Sequence, residues 1–226
     1  MVFYYITDRK QFPGTAAEQR RGLLDKIAEA ARAGIDYIQL REKDLSAREL
    51  ELLARDAVSL LTNATRDSRR ATRLFINSRT DLALACGADG VHLTSTDISP
   101  ADARAVASRS GRNDFLIAAS CHSAQEVRLA ESNGADFVVL APIFGKATTG
   151  TPGIGLQSFR DLAHVPPGNR KTEAEEARTT IPVLALGGIT VKNAKSCIDA
   201  AAAGIAGIRL FQENDVEQVV TSLRAY

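Results

Sequence analysis

AGIDYIQL from Ala33, CGADGVHL from Cys86, NGADFVVL from Asn133 and AGIAGIRL from Ala203 are four copies of one short phrase, and they decide the fold. In each copy a glycine follows a helical stretch and an apolar run of β type comes next. That is the pattern of a glycine-capped helix feeding a buried parallel strand. The copies start 53, 47 and 70 residues apart. One β-α unit with short loops takes roughly 25 residues, so each interval holds two units and the last holds a surplus. Each copy therefore precedes an even-numbered strand.

The odd-numbered strands fall between the copies, at Val2–Asp8, Arg73–Asn77, Phe115–Ser120 and Pro182–Gly188. Amphipathic stretches over Ala16–Arg32, Ala47–Leu61, Ser99–Ser108, Ala124–Ser132 and Val191–Ala202 read as helices. Eight β-α units in one chain predict an α/β fold of the TIM (β/α)8-barrel type. An open Rossmann-like sheet is the runner-up, but no strand is followed by the GxGxxG fingerprint.

At 226 residues and 45% hydrophobic content, the chain is long enough to fill one barrel, so 1–226 is read as a single domain. The 28 basic and 27 acidic residues nearly cancel, which disfavours nucleic acid or a membrane surface as partner. Cys86, Cys121 and Cys197 are odd in number and sit in apolar runs, as buried thiols of a reducing compartment do. No charged leader with an apolar segment opens the sequence, and no apolar run approaches the ~18 residues of a membrane span. The expectation is a cytoplasmic protein. Two segments break the pattern. Gly145–Gly155, GKATTGTPGIG, is a Gly/Thr-rich loop after strand six, on the face where barrels place function. Val165–Thr180 is a polar insertion before strand seven, on the opposite face, with no catalytic part.

Barrel ligands meet the C-terminal ends of the strands. Strand two ends in QLREK, and alternation sends Gln39, Arg41 and Lys43 to one side, Leu40 and Glu42 to the other. Two cations and an amide converging there call for an anion such as phosphate or pyrophosphate, or else for an internal Arg–carboxylate pair. Asn77 and Ser78 end strand three, and Ser120, Cys121 and His122 end strand five. Asp97, after strand four, either helps to hold Mg²⁺ or caps the helix from Ser99. His92 lies within a strand, where a satisfied core histidine is the commoner role. His122 sits just past a strand, either touching the site or not. Gly187 and Gly188 in LGGIT, after strand seven, offer backbone N–H groups to a second phosphate or simply make a tight turn.

QLREK, Asn77, VHL followed by Asp97, Ser120 with His122, the Ala141–Ile143 turn and LGGIT together resemble the thiamine phosphate synthase (thiamine-phosphate pyrophosphorylase) and thiazole tautomerase superfamily, over about Tyr4 to Arg209. The resemblance implies a transferase of thiamine biosynthesis that joins a pyrimidine diphosphate to a thiazole phosphate and releases pyrophosphate. It implies that Gln39, Arg41, Lys43 and Asn77 hold the pyrimidine diphosphate, that Asp97 binds Mg²⁺, and that Ser120 contacts the leaving pyrophosphate. Arg41, Lys43 and Ser120 would then be the catalytic set. Lys146, Thr148, Thr149, Gly187 and Gly188 would hold the thiazole phosphate, and His122 would lie at the substrate site. Barrels of this class often pair through their outer helices, so a homodimer is one option, and the sequence leaves the oligomeric state open.

Three departures stand against this pattern. Ser78 follows Asn77 where the family has a second Mg²⁺-binding Asp, and a neutral hydroxyl does not supply a carboxylate's charge. The loop after strand six is short, which leaves Lys146 out of register. Strand eight is expected to end in Ile208–Gln212, with Phe211 narrowing the thiazole phosphate site. Such changes also occur in the thiazole tautomerases, whose catalytic His follows strand six; here that position is Pro142. The alternatives are therefore a tautomerase-like isomerase using His122, or a catalytically silent barrel that binds a phosphorylated ligand.

Overall fold

The computed structural model describes residues 1–64, 71–145, 152–163 and 179–226. Eight parallel strands, β1 (Val2–Ile6), β2 (Tyr37–Leu40), β3 (Arg73–Asn77), β4 (Gly90–Leu93), β5 (Leu116–Cys121), β6 (Phe137–Leu140), β7 (Val183–Ala185) and β8 (Gly204–Gly207), pair in chain order. β8 returns to β1 through pairs such as Val2 with Gly204 and Tyr4 with Ala206, which closes the predicted TIM barrel. The described helices are α1 (Ala16–Arg32), α2 (Ala47–Ala64), α3 (Thr80–Cys86), α4 (Pro100–Arg109), α5 (Ala124–Ser132), α6 (Leu156–Leu162), α7 (Val191–Asp199), α8 (Arg209–Gln212) and α9 (Val216–Arg224). Because all strands run the same way, every strand's C-terminal end opens on one rim.

Strand alternation divides the apolar residues into two cores. Tyr4, Ile6, Phe75, Phe137, Val139 and Leu184 fill the barrel interior, while Phe3, Tyr5, Ile38 and Leu40 pack outward under the helices. Inside, the Tyr4 ring meets Phe75 and Phe137 edge-on at 5.6 and 5.7 Å, and Tyr37 stacks on Phe137 at 5.2 Å. Gly90 gives Phe75 its room, since a Cβ there would stand 2.6 Å from the Phe75 ring.

The repeats explain how the lower rim is sewn together. Asp36, Asp89 and Asp136, one from each of the first three copies, accept the backbone N–H of Phe3, Leu74 and Ile117 at 2.9, 2.8 and 2.6 Å. Each also donates its own N–H to the carbonyl of the same residue. Gly34, Gly87 and Gly134 supply the left-handed turn before them, at φ 83°, 73° and 77°.

The fourth copy is out of phase with the other three, which corrects its reading as a helix-capping phrase. The helix-to-strand turn falls on Ala200–Ala203, the backbone bond is kept by Ala203 N–H to Val183 O at 2.9 Å, and the left-handed position is Ala201 at φ 69°. Gly204 belongs to β8 instead, where a Cβ would lie 2.2 Å from Val2 O. An alanine in this backbone region is strained, so Ala201→Gly is expected to stabilise the protein by about 0.5–1 kcal/mol. Urea unfolding of the two proteins checks this, and equal or lower stability of the variant would contradict it.

Cys86, Cys121 and Cys197 are free and buried, and burial pushes the Cys121 thiol up to about 12 and Cys197 up to about 11. Among the described residues no helix is long and apolar enough to cross a membrane. Residues 164–178, most of the expected polar insertion, lie outside the described residues. Its last two residues are tied to α5: Thr179 Oγ1 and Thr180 N donate to Glu131 at 2.8 and 2.7 Å.

Candidate active site

The end of β2 is held by a polar knot that also includes the residues following β1. Thr7 donates its hydroxyl to Glu42 Oε1 at 2.6 Å and accepts the backbone N–H of Arg41 at 3.0 Å. Arg9, in a single 3-10 turn (Arg9–Gln11), bonds Glu42 through its backbone N–H at 3.1 Å and through Nη1 at 3.2 Å. Its guanidinium then grips Asp44 with two parallel bonds of 2.6 and 2.8 Å. Burial raises the Glu42 carboxyl, opposed by the Thr7 and Arg9 bonds, and the Arg9 contact holds Asp44 well below the usual carboxylate range.

The sequence alternatives for QLREK are thereby sorted. An internal Arg–carboxylate pair exists, but its arginine is Arg9. Arg41 is half-buried and forms no ion pair among the described residues. Gln39 is buried, and its amide donates to Tyr4 OH at 3.2 Å. Lys43 is exposed.

His92 is the centre around which the predicted residues gather. On β4 it pairs in register with Asn77 of β3, and its carbonyl accepts the Ser78 N–H at 2.9 Å. Its ring bonds Tyr4 OH through Nδ1 at 3.0 Å and Ser120 Oγ through Nε2 at 2.7 Å. Burial and, to a lesser extent, the Arg41 charge lower its pKa to about 3, with Asp97 opposing. Arg41, Asp97, Asn77 and Ser120 thus all lie around one neutral imidazole.

Asp97 does not cap the helix after it. Ser99 caps α4 by accepting the Asp102 N–H at 3.1 Å, while Asp97 Oδ2 accepts the Thr94 N–H and hydroxyl at 2.6 and 2.8 Å. Asn77 donates to Ser78 Oγ at 2.9 Å, and Ser78 stands at φ 64°, a conformation that Asp tolerates better than most residues. His122 is exposed on the rim, its Nδ1 within 2.7 Å of Ala141 O and its N–H on Glu126 at 2.7 Å.

After β7, Gly187 and Gly188 take φ 101° and 67°. A Cβ on Gly187 would lie 2.7 Å from Pro142, and one on Gly188 2.8 Å from Phe144 Cβ, so the turn after β6 packs directly on this glycine pair. Ile143 N and Phe144 N donate to Leu186 O and Gly187 O at 2.8 and 3.1 Å. The tight-turn role is therefore real. The N–H groups of Gly187, Gly188 and Ile189 nevertheless find no acceptor among the described residues, as a phosphate-binding turn requires. Lys146, Thr148 and Thr149 lie outside the described residues.

The reading of strand eight needs correction. β8 stops at Gly207, and residues 209–212 form α8. Phe211 points away from the rim, fully buried against Phe3 and Tyr5 at 6.4 and 6.3 Å in the outer core. It narrows no phosphate site. Thr7, Arg9 and Tyr4 escaped the sequence reading; the alternation of VFYYITD, which places Tyr4 inside, was the available signal for Tyr4.

A closed (β/α)8 barrel carrying polar side chains at the C-terminal mouth defines the class as a barrel enzyme. The sequence model of the family described as thiamine monophosphate synthase matches residues 3–211, and the chain belongs to that family. It is similar to the thiamine-phosphate synthase of Methanoculleus marisnigri, 37% identical over 86% of this chain and 83% of the relative. It is 31% identical to that of Azorhizobium caulinodans, over 99% and 93% of the two chains. The solved thiamine phosphate pyrophosphorylase of Pyrococcus furiosus superposes with a TM-score of 0.75 at 28% identity, covering 99% of this chain and 94% of that one.

Proposed function

We propose that this chain is a working thiamine phosphate synthase, coupling 4-amino-2-methyl-5-(diphosphooxymethyl)pyrimidine to a thiazole phosphate. The observation that carries this reading is Arg41: half-buried at the mouth, without a carboxylate partner among the described residues, while the neighbouring Glu42 is taken by Arg9 and Thr7. A half-buried guanidinium so placed is suited to an anionic ligand.

In the reaction the bond between the pyrimidine methylene and the diphosphate oxygen breaks, and its electron pair leaves with pyrophosphate. The thiazole nitrogen then gives its lone pair to the methylene, forming the C–N bond. Arg41 and Lys43 stabilise the charge that grows on the leaving group, and the Ser120 hydroxyl donates to it. Asn77 and Gln39 orient the pyrimidine, and the N–H groups of Gly187 and Gly188 receive the thiazole phosphate so that its nitrogen faces the methylene.

Mg²⁺ fits this mouth as an ion arriving on the diphosphate. The described residues offer no group of three or more metal-binding side chains, but Asp97 Oδ1 accepts no bond among them, and Mg²⁺ takes one carboxylate with waters and substrate phosphates. Asp97 would hold the ion, which when bound neutralises diphosphate charge. Ser78→Asp adds a second carboxylate and is expected to lower the Mg²⁺ concentration giving half-maximal rate several-fold. No change in a Mg²⁺ titration of the coupling rate would mean that Ser78 does not face the metal.

The isomerase alternative rests on His122. With Pro142 in the turn after β6, no other histidine among the described residues stands at a strand end outside the β4 interior. Incubating the protein with both substrates and Mg²⁺ separates the readings. Coupling that survives His122→Ala supports the synthase; isomerisation of the thiazole carboxylate phosphate, abolished by His122→Ala, would replace it.

A further inference from the structure

Four side chains cross the barrel interior in one hydrogen-bonded line, and donor chemistry fixes its direction. The Gln39 amide nitrogen only donates, so Tyr4 OH accepts at that 3.2 Å contact. Burial pushes the Tyr4 phenol well up, so it keeps its proton, and because a buried O–H needs an acceptor and His92 Nδ1 at 3.0 Å is the one on offer among the described residues, Tyr4 donates there. A neutral imidazole that accepts at Nδ1 carries its proton on Nε2. Nε2–H therefore donates to Ser120 Oγ at 2.7 Å. With that lone pair occupied, the Ser120 proton must find its acceptor elsewhere, and no protein atom among the described residues takes it.

We infer that His92 is a positioning residue: through Tyr4 and Gln39 it is held as the Nε2–H tautomer, and it turns the half-buried Ser120 hydroxyl outward as a donor to the leaving pyrophosphate. The reverse tautomer would let Ser120 donate into the barrel and present only lone pairs to an anion, which repels them. The inference rests on the synthase reading above and deepens it by assigning what orients Ser120.

Two measurements test it. The chain has three histidines, so ¹⁵N-histidine NMR resolves them. His92 is expected as the neutral Nε2–H tautomer in the wild type, with Tyr4→Phe shifting it toward Nδ1–H. An Nδ1–H ring in the wild type would overturn the proposal. In kinetics, His92→Leu and Ser120→Ala are each expected to lower kcat about five- to tenfold, the size of one hydrogen bond. The double variant should be no slower than Ser120→Ala alone, because His92 acts only through Ser120. His92→Gln, whose amide N–H reaches the Nε2 position, should recover most of the loss. Should His92→Leu fail to fold, Tyr4→Phe made alone and in combination with Ser120→Ala closes the same cycle, since it keeps the packed ring.

Additive losses in a wild type that couples would overturn this inference and leave the synthase standing. The affinity of inorganic pyrophosphate, measured on the same variants, separates the two claims further. A wild type that does not couple, yet shows the same non-additive pattern in pyrophosphate binding, would sink the synthase reading and keep the orientation of Ser120.

Discussion

Arg41→Ala lowers kcat/KM for coupling by about 10²- to 10³-fold, the usual loss when a preorganised charge donor is removed from a developing anion. The expectation follows from how the residue is held. Its backbone N–H is fixed by Thr7, whose hydroxyl is in turn fixed by Glu42, and Glu42 is satisfied by Arg9. The knot therefore places Arg41 without neutralising it. Arg41→Lys keeps the charge but loses the planar fork, so an intermediate loss is expected. Folding should be unaffected, because Arg41 has no ion-pair partner among the described residues to leave stranded. A rate unchanged by Arg41→Ala would remove QLREK from the chemistry.

The second large effect is on stability in acid. In the unfolded chain His92 takes up its proton near the ordinary histidine value of 6.5, whereas in the barrel burial, chiefly, lowers its pKa to about 3. Between these values the unfolded state binds the extra proton, so stability rises with pH across this window and is lost as pH falls. The contribution is fully present above 6.5 and fades toward pH 3 at about 1.4 kcal/mol per pH unit, or on the order of 4–5 kcal/mol in all. Acidic residues titrate in both proteins, so the informative quantity is the difference between the wild type and His92→Gln. Urea unfolding at about pH 7, 5 and 4, values that span this window, should show the wild type losing stability faster. Parallel curves would mean that His92 is protonated in the folded barrel.

The barrel was legible because each strand carries its own local pattern and three of the phrases share a turn geometry. Glycine at the left-handed position is a short-range requirement, and the aspartate two residues on recurs because each of these even strands meets its predecessor in the same way, so both repeat as text. The fourth copy misled because AGI occurs there one turn later, with Ala201 in the left-handed place and Gly204 chosen for its approach to Val2. Phe211 was misplaced for a related reason: β8 ends early, and α8 turns that side chain to the outer core.

At the mouth, the types of residue were legible and their pairings were not. Nothing local in REK says that Glu42 will meet Arg9, which lies 33 positions away and comes near only because β1 and β2 are neighbours. The same holds for the line from Gln39 to Ser120, which joins four strands. Taken alone, His92 reads as a buried histidine satisfied by its core, and that is half of the truth: both ring nitrogens are satisfied, one of them by a residue of the mouth.

The most direct test is a coupling assay on the purified protein with pyrimidine diphosphate, thiazole phosphate and Mg²⁺, following both products. Thiamine phosphate and pyrophosphate should appear in equal amounts, at enzyme-like turnover and only with Mg²⁺. Tight binding of the thiazole phosphate with no release of pyrophosphate would contradict the synthase and leave a barrel that holds one substrate without joining it to the other.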